Sequence, residues 1–241
     1  MMRREFVFGL GALCVASPVI ASSVGITTVQ KMWDNGNHAF ITKARPGSYR
    51  AEIVSAHDVL GKSFAMPREI LEKTGASVCF NGGFFENDGS PSGLYVKNGK
   101  IRKSLTSRAG DGILYTNKNG QLQLVRRDEF HEHIAEIVDA LQCNLLSYNN
   151  TLLYTENVSA SLQPRHLIGF SSDGLTEVIF KETNFTLGDR YMRAEHHYTS
   201  VAALDGGPSA SAYTRSGESS ARSEDRLKEV PVANFLTLYN I

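Results

Sequence analysis

The chain has 241 residues, 41% of them hydrophobic, with 25 basic and 25 acidic side chains. That length suits one domain or two small ones, and it can bury a core without a metal or disulfide staple. A formal charge of zero with no basic block excludes a nucleic-acid binder that neutralises phosphates in bulk. No apolar run reaches the roughly 18–20 residues that a membrane-spanning helix needs.

Arg3 and Arg4 precede an apolar stretch from Phe6 to Ala21, broken by Gly9, Gly11 and Pro18. A charged segment, an apolar segment and small residues at Val19 and Ala21 stand in the order of an export signal. The expectation is a signal over residues 1–21, followed by one domain over 22–241 that starts at Ser22. Arg3-Arg4-Glu5-Phe6-Val7 is also similar to a twin-arginine signal, with Met2 where Ser or Thr is usual, so both export routes stay open. The expected compartment is periplasmic or extracellular, with no stable membrane insertion after signal removal. Removal leaves 23 basic and 24 acidic residues, with Cys79 and Cys143. An oxidising compartment permits a disulfide, but Cys79 lies in an apolar run, Ser77 to Phe80, which favours buried free thiols.

Short β-like runs occupy Ala39 to Thr42 and Tyr49 to Val54. Pro67 opens a predicted helix to Lys73, and Gly75 supplies its stop. A strand over Ala76 to Phe80 leads into Asn81-Gly82-Gly83-Phe84-Phe85 and a turn-rich loop from Glu86 to Gly93. Asn98-Gly99 between Leu94-Tyr95-Val96 and Lys100-Ile101 is a hairpin signal. A second hairpin joins Gly112 to Tyr115 with Leu122 to Val125. Phe130, Ile134, Ile137, Val138 and Leu141 recur on one helical face and predict a helix over Asp128 to Leu141. Strand and turn character returns over Asn144 to Asn157. Leu167 to Phe170 and Glu177 to Phe180 predict a hairpin around Ser171 to Gly174. Leu187 to His197 reads as a helix and Ser200 to Leu204 as a strand. Thr214 to Lys228 reads as an exposed loop, and Val230 to Leu238 as a closing strand.

One pattern occurs twice. A helix and a short apolar strand end in Asn81-Gly82-Gly83, and again in Asp205-Gly206-Gly207. A strand tip with a polar side chain and two glycines offers that side chain together with approachable backbone N–H groups. Two tight turns would leave the same signature.

Other motifs fail on their mechanics. Ala56 to Ser63 fits a loose phosphate-binding loop, but Val59 and Leu60 stand where glycines are needed and Pro67 delays the helix. His131 and His133 are two residues apart and face different ways on a helix, and His196-His197 are adjacent. The sequence has no Gly-x-Ser-x-Gly elbow, Cys-x-x-Cys or dinucleotide fingerprint.

Asn81-Gly82-Gly83-Phe84-Phe85, Pro91-Ser92-Gly93-Leu94 with Asn98-Gly99, Pro164 to Phe170, and Ala203-Leu204-Asp205-Gly206-Gly207-Pro208-Ser209 follow one another in this order. In this the chain resembles the phosphodiester glycosidase family, the uncovering-enzyme-like N-acetylglucosamine-1-phosphodiester alpha-N-acetylglucosaminidases, over about residues 50–240. His166 departs from the family's usual Thr, Pro208 from its usual Gly, and residues 180–200 match poorly. The resemblance implies an α+β single domain, a twisted and mainly antiparallel or mixed sheet packed against helices. It implies an exported hydrolase that cleaves the glycosidic bond of a sugar-1-phosphodiester, in envelope or exopolysaccharide metabolism. Its partner is then a sugar phosphate or polysaccharide, with no nucleic acid.

Cleavage at an anomeric carbon passes through an oxocarbenium-like state that a carboxylate stabilises or attacks, and Asp205 is the candidate. Glu86 is the candidate second carboxylate, ahead of Asp88, Asp173 and Glu195. Arg165 has the planar fork that matches phosphate oxygens. Asn81 can hydrogen-bond sugar or phosphate, Phe85 can pack on a sugar face, and Ser209 can donate a hydroxyl near Asp205. Gly82, Gly83, Gly206 and Gly207 complete the expected binding surface. No cofactor is required, and a divalent cation on Asp205 stays open. Two other readings remain: a non-catalytic phosphosugar- or polysaccharide-binding protein with the same pocket, and a general phosphodiesterase, which the neutral charge disfavours.

Overall fold

A computed structural model describes residues 25–32, 37–154, 161–215 and 230–241. The predicted export signal, much of the predicted 214–228 loop and residues 155–157 therefore lie outside the described residues. In chain order the strands and helices are β1 (Ile26–Met32), β2 (His38–Ala44), β3 (Tyr49–Ser55), α1 (Ala56–Leu60), α2 (Pro67–Thr74) and β4 (Val78–Asn81). Then come β5 (Tyr95–Lys97), β6 (Lys100–Lys103), β7 (Gly112–Asn117), β8 (Leu122–Arg126), α3 (Phe130–His133), β9 (Ile137–Tyr148) and β10 (Thr151–Leu152). The chain continues with β11 (Gln163–Ser171), β12 (Gly174–Thr183), α4 (Phe185–His196), β13 (Ser200–Ala203), β14 (Ala212–Thr214) and β15 (Asn234–Asn240).

The strands form two antiparallel sheets. The larger has 11 strands, ordered β1-β2-β12-β11-β13-β9-β5-β6, with β7, β8 and β10 attached through β9 and β7. The smaller is β14-β4-β15-β3. They pack face to face. Tyr49, Ala51, Ile53, Phe80, Leu236 and Leu238 of the small sheet meet Phe40, Ile168, Ile179, Ala202 and Leu114 of the large one in a single apolar cluster. The small sheet's outer residues, Val54, Cys79 and Phe235, pack under Ile70 and Leu71 of α2. The large sheet's outer residues, Ile41, Leu167, Val178 and Val201, pack with Met192 of α4. Strand alternation thus supplies two apolar faces per sheet, each covered. The expected α+β description holds only coarsely, because strands dominate and the helices are short caps on a two-sheet stack.

The local signals explain several elements. Glu69 accepts the Met66 N–H at 2.8 Å and Gly75 closes α2 with φ of 75°. Asn98 and Gly99 take φ of 51° and 70°, the left-handed pair that a two-residue hairpin turn requires. Residues 56–60, within the loose phosphate-loop pattern, are instead helix α1, capped by the Ser55 side chain. Cys79 and Cys143 are buried free thiols on different faces of the stack.

The predicted helix over 128–141 is the main correction. Only Phe130–His133 is α-helical, and Ile137–Tyr148 is a 12-residue strand. β9 pairs along its edges with β5, β7, β10 and β13, and its faces are both covered: Leu141, Cys143 and Leu145 pack between the sheets while Ala140 and Leu146 pack in outer clusters, so its burial does not alternate. An apolar run without alternation mimics a helical stripe. Ile134, central to the predicted stripe, is 45% exposed.

Candidate functional site

Chain topology brings the two Gly-Gly tips together. β4 ends at Asn81 and β13 runs into Asp205, on different sheets, and the Asp205 N–H donates to the Gly82 carbonyl at 3.1 Å. Asn81 is wholly buried. Its Nδ2 donates to the Asp205 carbonyl at 2.7 Å, and its Oδ1 accepts the Ser211 N–H at 3.0 Å. The Asn81 amide is therefore occupied by protein partners and braces the Asp205 turn from beneath. The Gly residues have local reasons. A Cβ on Gly82 would lie 2.2 Å from Asn234 Oδ1, and one on Gly206 would lie 3.0 Å from the Pro164 carbonyl. Gly207 has φ of 59°, which starts the short turn Gly207–Ser209.

Asp205 is half-buried at this turn. Burial raises its proton affinity above the ordinary Asp value, against the Ser209 hydroxyl, the Gly206 N–H and nearby His166, which favour the carboxylate. Ser209 is buried, and its hydroxyl favours the ionised form of that carboxylate. Arg165 is buried beside Gly206, with its guanidinium 4.1 Å over the Phe185 ring.

The deepest part of the cluster is a pair to which the sequence alone assigns no role. His166 and Glu177 are each fully buried on the inner face of the large sheet. His166 Nδ1 lies 3.0 Å from Asn81 Oδ1, and Nε2 lies 2.9 Å from Glu177 Oε2. The ring stacks on Phe80 with centroids 5.5 Å apart. The signal was available once the β11–β12 hairpin was read. Ile168 stands opposite Glu177 and His166 opposite Ile179, so His166 and Glu177 are diagonal neighbours on one face.

The loop that leaves the first Gly-Gly tip runs into a pocket of about 510 Å³, lined by Phe84, Glu86, Ser92, Lys103, Thr106, Arg108, Ala109 and Asn144. Its volume suits a small ligand. Of the residues expected at the site, Glu86 lines it, while Asp205, Arg165, Ser209 and Asn81 gather at the neighbouring tip. The two are joined through the chain, since Gly82, which receives the Asp205 N–H, lies two residues before Phe84. A Cβ on Gly83 would meet Gln142 and Leu141 of β9, and one on Gly93 would meet Ala109 and Gln142, so the Gly-rich loop lies close against β9 and the pocket-lining Ala109. Phe85 packs edge-on against Phe64 at 5.8 Å, so of the two phenylalanines it is Phe84 that faces the pocket. Lys103 and Arg108 give this pocket two cations against the one carboxylate of Glu86.

Among the described residues, no group of three or more His, Cys, Asp or Glu side chains is placed to hold a metal ion. His133 instead pairs with Glu136 at 2.6 Å. No helix of the described residues is long and apolar enough to cross a membrane.

Comparison with known proteins gives the site its context. The catalytic domain of zebrafish N-acetylglucosamine-1-phosphodiester alpha-N-acetylglucosaminidase, auto-inhibited by its pro-peptide, superposes with a TM-score of 0.67 at 15% identity, covering 93% of this chain and 85% of that one. A hypothetical protein from Synechocystis gives 0.65 at 12% identity, covering 90% and 62%. A Burkholderia pseudomallei protein described as exported gives 0.64 at 12% identity, covering 84% and 74%. These likenesses establish a shared fold. No curated protein matches the chain in sequence. The profile of the phosphodiester glycosidase family matches residues 74–239, a span that contains both Gly-Gly tips, the pocket and the buried histidine. The chain belongs to the phosphodiester glycosidase family.

Proposed function

We propose that this protein is an exported hydrolase that breaks the bond between an anomeric carbon and the oxygen of a sugar-1-phosphodiester, in envelope or exopolysaccharide metabolism. The observation that carries this reading is the meeting of the two Gly-Gly tips, which ties the half-buried Asp205 to the loop that continues into the basic pocket. The phosphomonoester released from such a diester is already a good leaving group, so the site needs charge neutralisation more than strong acid assistance. Lys103 and Arg108 supply that charge from the pocket wall, and Arg165 adds a third cation next to the Gly206 turn.

Asp205 faces the positive charge that develops at the anomeric carbon, by attack or by electrostatic stabilisation. Its burial makes it more basic than a solvated Asp, which favours both roles. Ser209 orients the carboxylate. Glu86 lines the pocket and activates the water that delivers hydroxide to the anomeric carbon. The bond to the phosphate oxygen breaks, and the phosphomonoester leaves as an anion.

The test is a hydrolysis assay on sugar-1-phosphodiesters, including UDP-N-acetylglucosamine, with Asp205→Asn as control. Release of free sugar that the variant abolishes supports the reading. Binding of these ligands by both proteins with no turnover by either identifies a binding protein instead.

A further inference from the structure

The hydrogen-bond pattern beneath Asp205 fixes where protons sit. Asn81 can be placed in one orientation only, because Nδ2 meets the Asp205 carbonyl and Oδ1 meets the Ser211 N–H. Exchanging the two would set acceptor against acceptor and donor against donor. Oδ1 has no proton to give, so His166 Nδ1 must donate across the 3.0 Å contact. The other nitrogen then faces Glu177 Oε2 at 2.9 Å. A neutral imidazole with its proton on Nδ1 presents a lone pair there. An ionised glutamate would present another. The contact requires one more proton, carried either by the glutamate or by an imidazolium.

We propose that His166 and Glu177 are positioning residues that hold one shared proton, and that this proton locks the imidazole tautomer that ties Asn81, and through it the Asp205 turn. The reading rests on the hydrolase function above only in what Asp205 does; the proton itself does not depend on it. Glu177 Oε1 has no hydrogen-bond partner in its fully buried position, which disfavours a charged carboxylate there. Burial also raises the proton affinity of Glu177, with His166 acting against it. Of the titratable groups on the packed elements, Tyr49 of β3 and Asp205 after β13 face the pair, and Cys79 of β4, on the small sheet's outer face, feels the charge of Glu177 through the sheet. Burial pushes Tyr49 up to about 12 and Cys79 well above the ordinary thiol range, so both stay neutral around the pair. Arg165, next along β11, turns its guanidinium onto Phe185 of α4, away from the inner face.

Loss of the shared proton to solvent has a definite consequence. The ionised Glu177 competes for the remaining imidazole proton and draws it to Nε2, where the hydrogen bond is charge-assisted. Nδ1 is left as a lone pair facing Asn81 Oδ1, and the tie opens. A glutamine at position 177 cannot ionise. Its amide donates to Nε2 and keeps the proton on Nδ1 at every pH.

The test is nitrogen NMR of the full chain labelled at its seven histidines, with His166→Asn to assign the signal. At neutral pH the His166 signal is expected to show a protonated Nδ1, and to change on the alkaline side. In Glu177→Gln, which preserves shape, the Nδ1 proton is expected to persist and the alkaline change to disappear. A His166 protonated on Nε2 alone at neutral pH, or an alkaline change that survives in Glu177→Gln, overturns the proposal. If the protein also hydrolyses sugar phosphodiesters, the alkaline limb of kcat moves to higher pH in Glu177→Gln with KM little altered. An identical limb in both proteins likewise overturns the link to Asp205. Absence of turnover would defeat the hydrolase reading alone and leave the NMR result standing.

Discussion

Two of the buried polar clusters among the described residues are built on opposite plans. At the β5–β6 hairpin, Lys97 and Asp139 are paired at 2.8 Å with side chains 13% and 3% exposed. Asp139 also accepts the Asn98 N–H at 3.0 Å and the Ile53 N–H at 3.4 Å, and Lys97 donates to the Ile53 carbonyl at 2.9 Å. Both carboxylate oxygens are satisfied within the protein, and the cluster joins the large sheet to β3. The cluster under Asp205 is open at both ends. Glu177 Oε1 is without a partner and the Asp205 carboxyl stands half-buried at a turn. A closed cluster contributes to the fold, because each group has only protein to meet. An open one stores unmet hydrogen-bonding capacity, which is where a ligand or a proton can act.

Asparagine substitutions separate the two plans most sharply. Asp205→Asn is expected to lower kcat by about 10³-fold or more, the scale of losing a group that acts on the transition state. The melting temperature is expected to hold or rise, since a poorly solvated carboxyl is removed. Asp139→Asn is expected to do the reverse. It leaves Lys97 buried without its counter-charge, at a cost of about 3–5 kcal/mol, while kcat per folded molecule stays the same. Thermal unfolding and active-site-normalised kinetics on both variants decide it. A large stability loss in Asp205→Asn with little effect on kcat would erase the distinction.

The glycines give a smaller test of the same contrast. Gly82→Ala forces a Cβ to within 2.2 Å of Asn234 Oδ1 and 3.1 Å of the Asn234 backbone, between two paired strands. A loss of about 1–3 kcal/mol is expected from overpacking, with reduced activity because Gly82 holds the Asp205 N–H. Gly207→Ala meets no atom within 4 Å, and its penalty is confined to φ of 59°. That costs about 1–2 kcal/mol. Chemical denaturation of the pair measures the difference.

How much of this was legible in the sequence follows from the range of each interaction. The hairpins at Asn98-Gly99 and around Ser171 to Gly174, and the helix opened by Pro67, were readable because their determinants are neighbours in the chain. So was the repeated pattern that ends in Asn81 and Asp205. That the two tips touch was not readable, since it depends on β4 and β13 lying in different sheets. Nor was the choice between Phe84 and Phe85, which turns on a loop path rather than a strand period. β9 was misread as helix because burial on both faces removed the alternation. His166 and Glu177 needed only one further step, a register count from the predicted turn, which their 11-residue separation conceals.

The finest version of the comparison is in pH. Burial raises Asp205 above its ordinary value. Between that value and the raised one, the folded chain keeps a proton that the unfolded chain has released, so stability falls as pH rises through this window. Asp58 has the opposite sign. Burial raises it, but the Tyr95 and Ser55 hydroxyls, the Ser55 N–H and Lys97 together outweigh that and hold it below the ordinary Asp range. Its contribution is present above the unfolded value near 3.8 and is lost as pH falls through the lowered one. Melting curves across acid and neutral pH should therefore diverge in opposite senses. Asp205→Asn should be more stable than the parent at neutral pH and converge with it in acid. Asp58→Asn should be less stable at neutral pH and converge with the parent as Asp58 is protonated. Parallel curves for Asp205→Asn at all pH values would mean that the carboxyl is as well solvated in the fold as in the unfolded chain, and that the turn stores no unmet charge for a substrate to relieve.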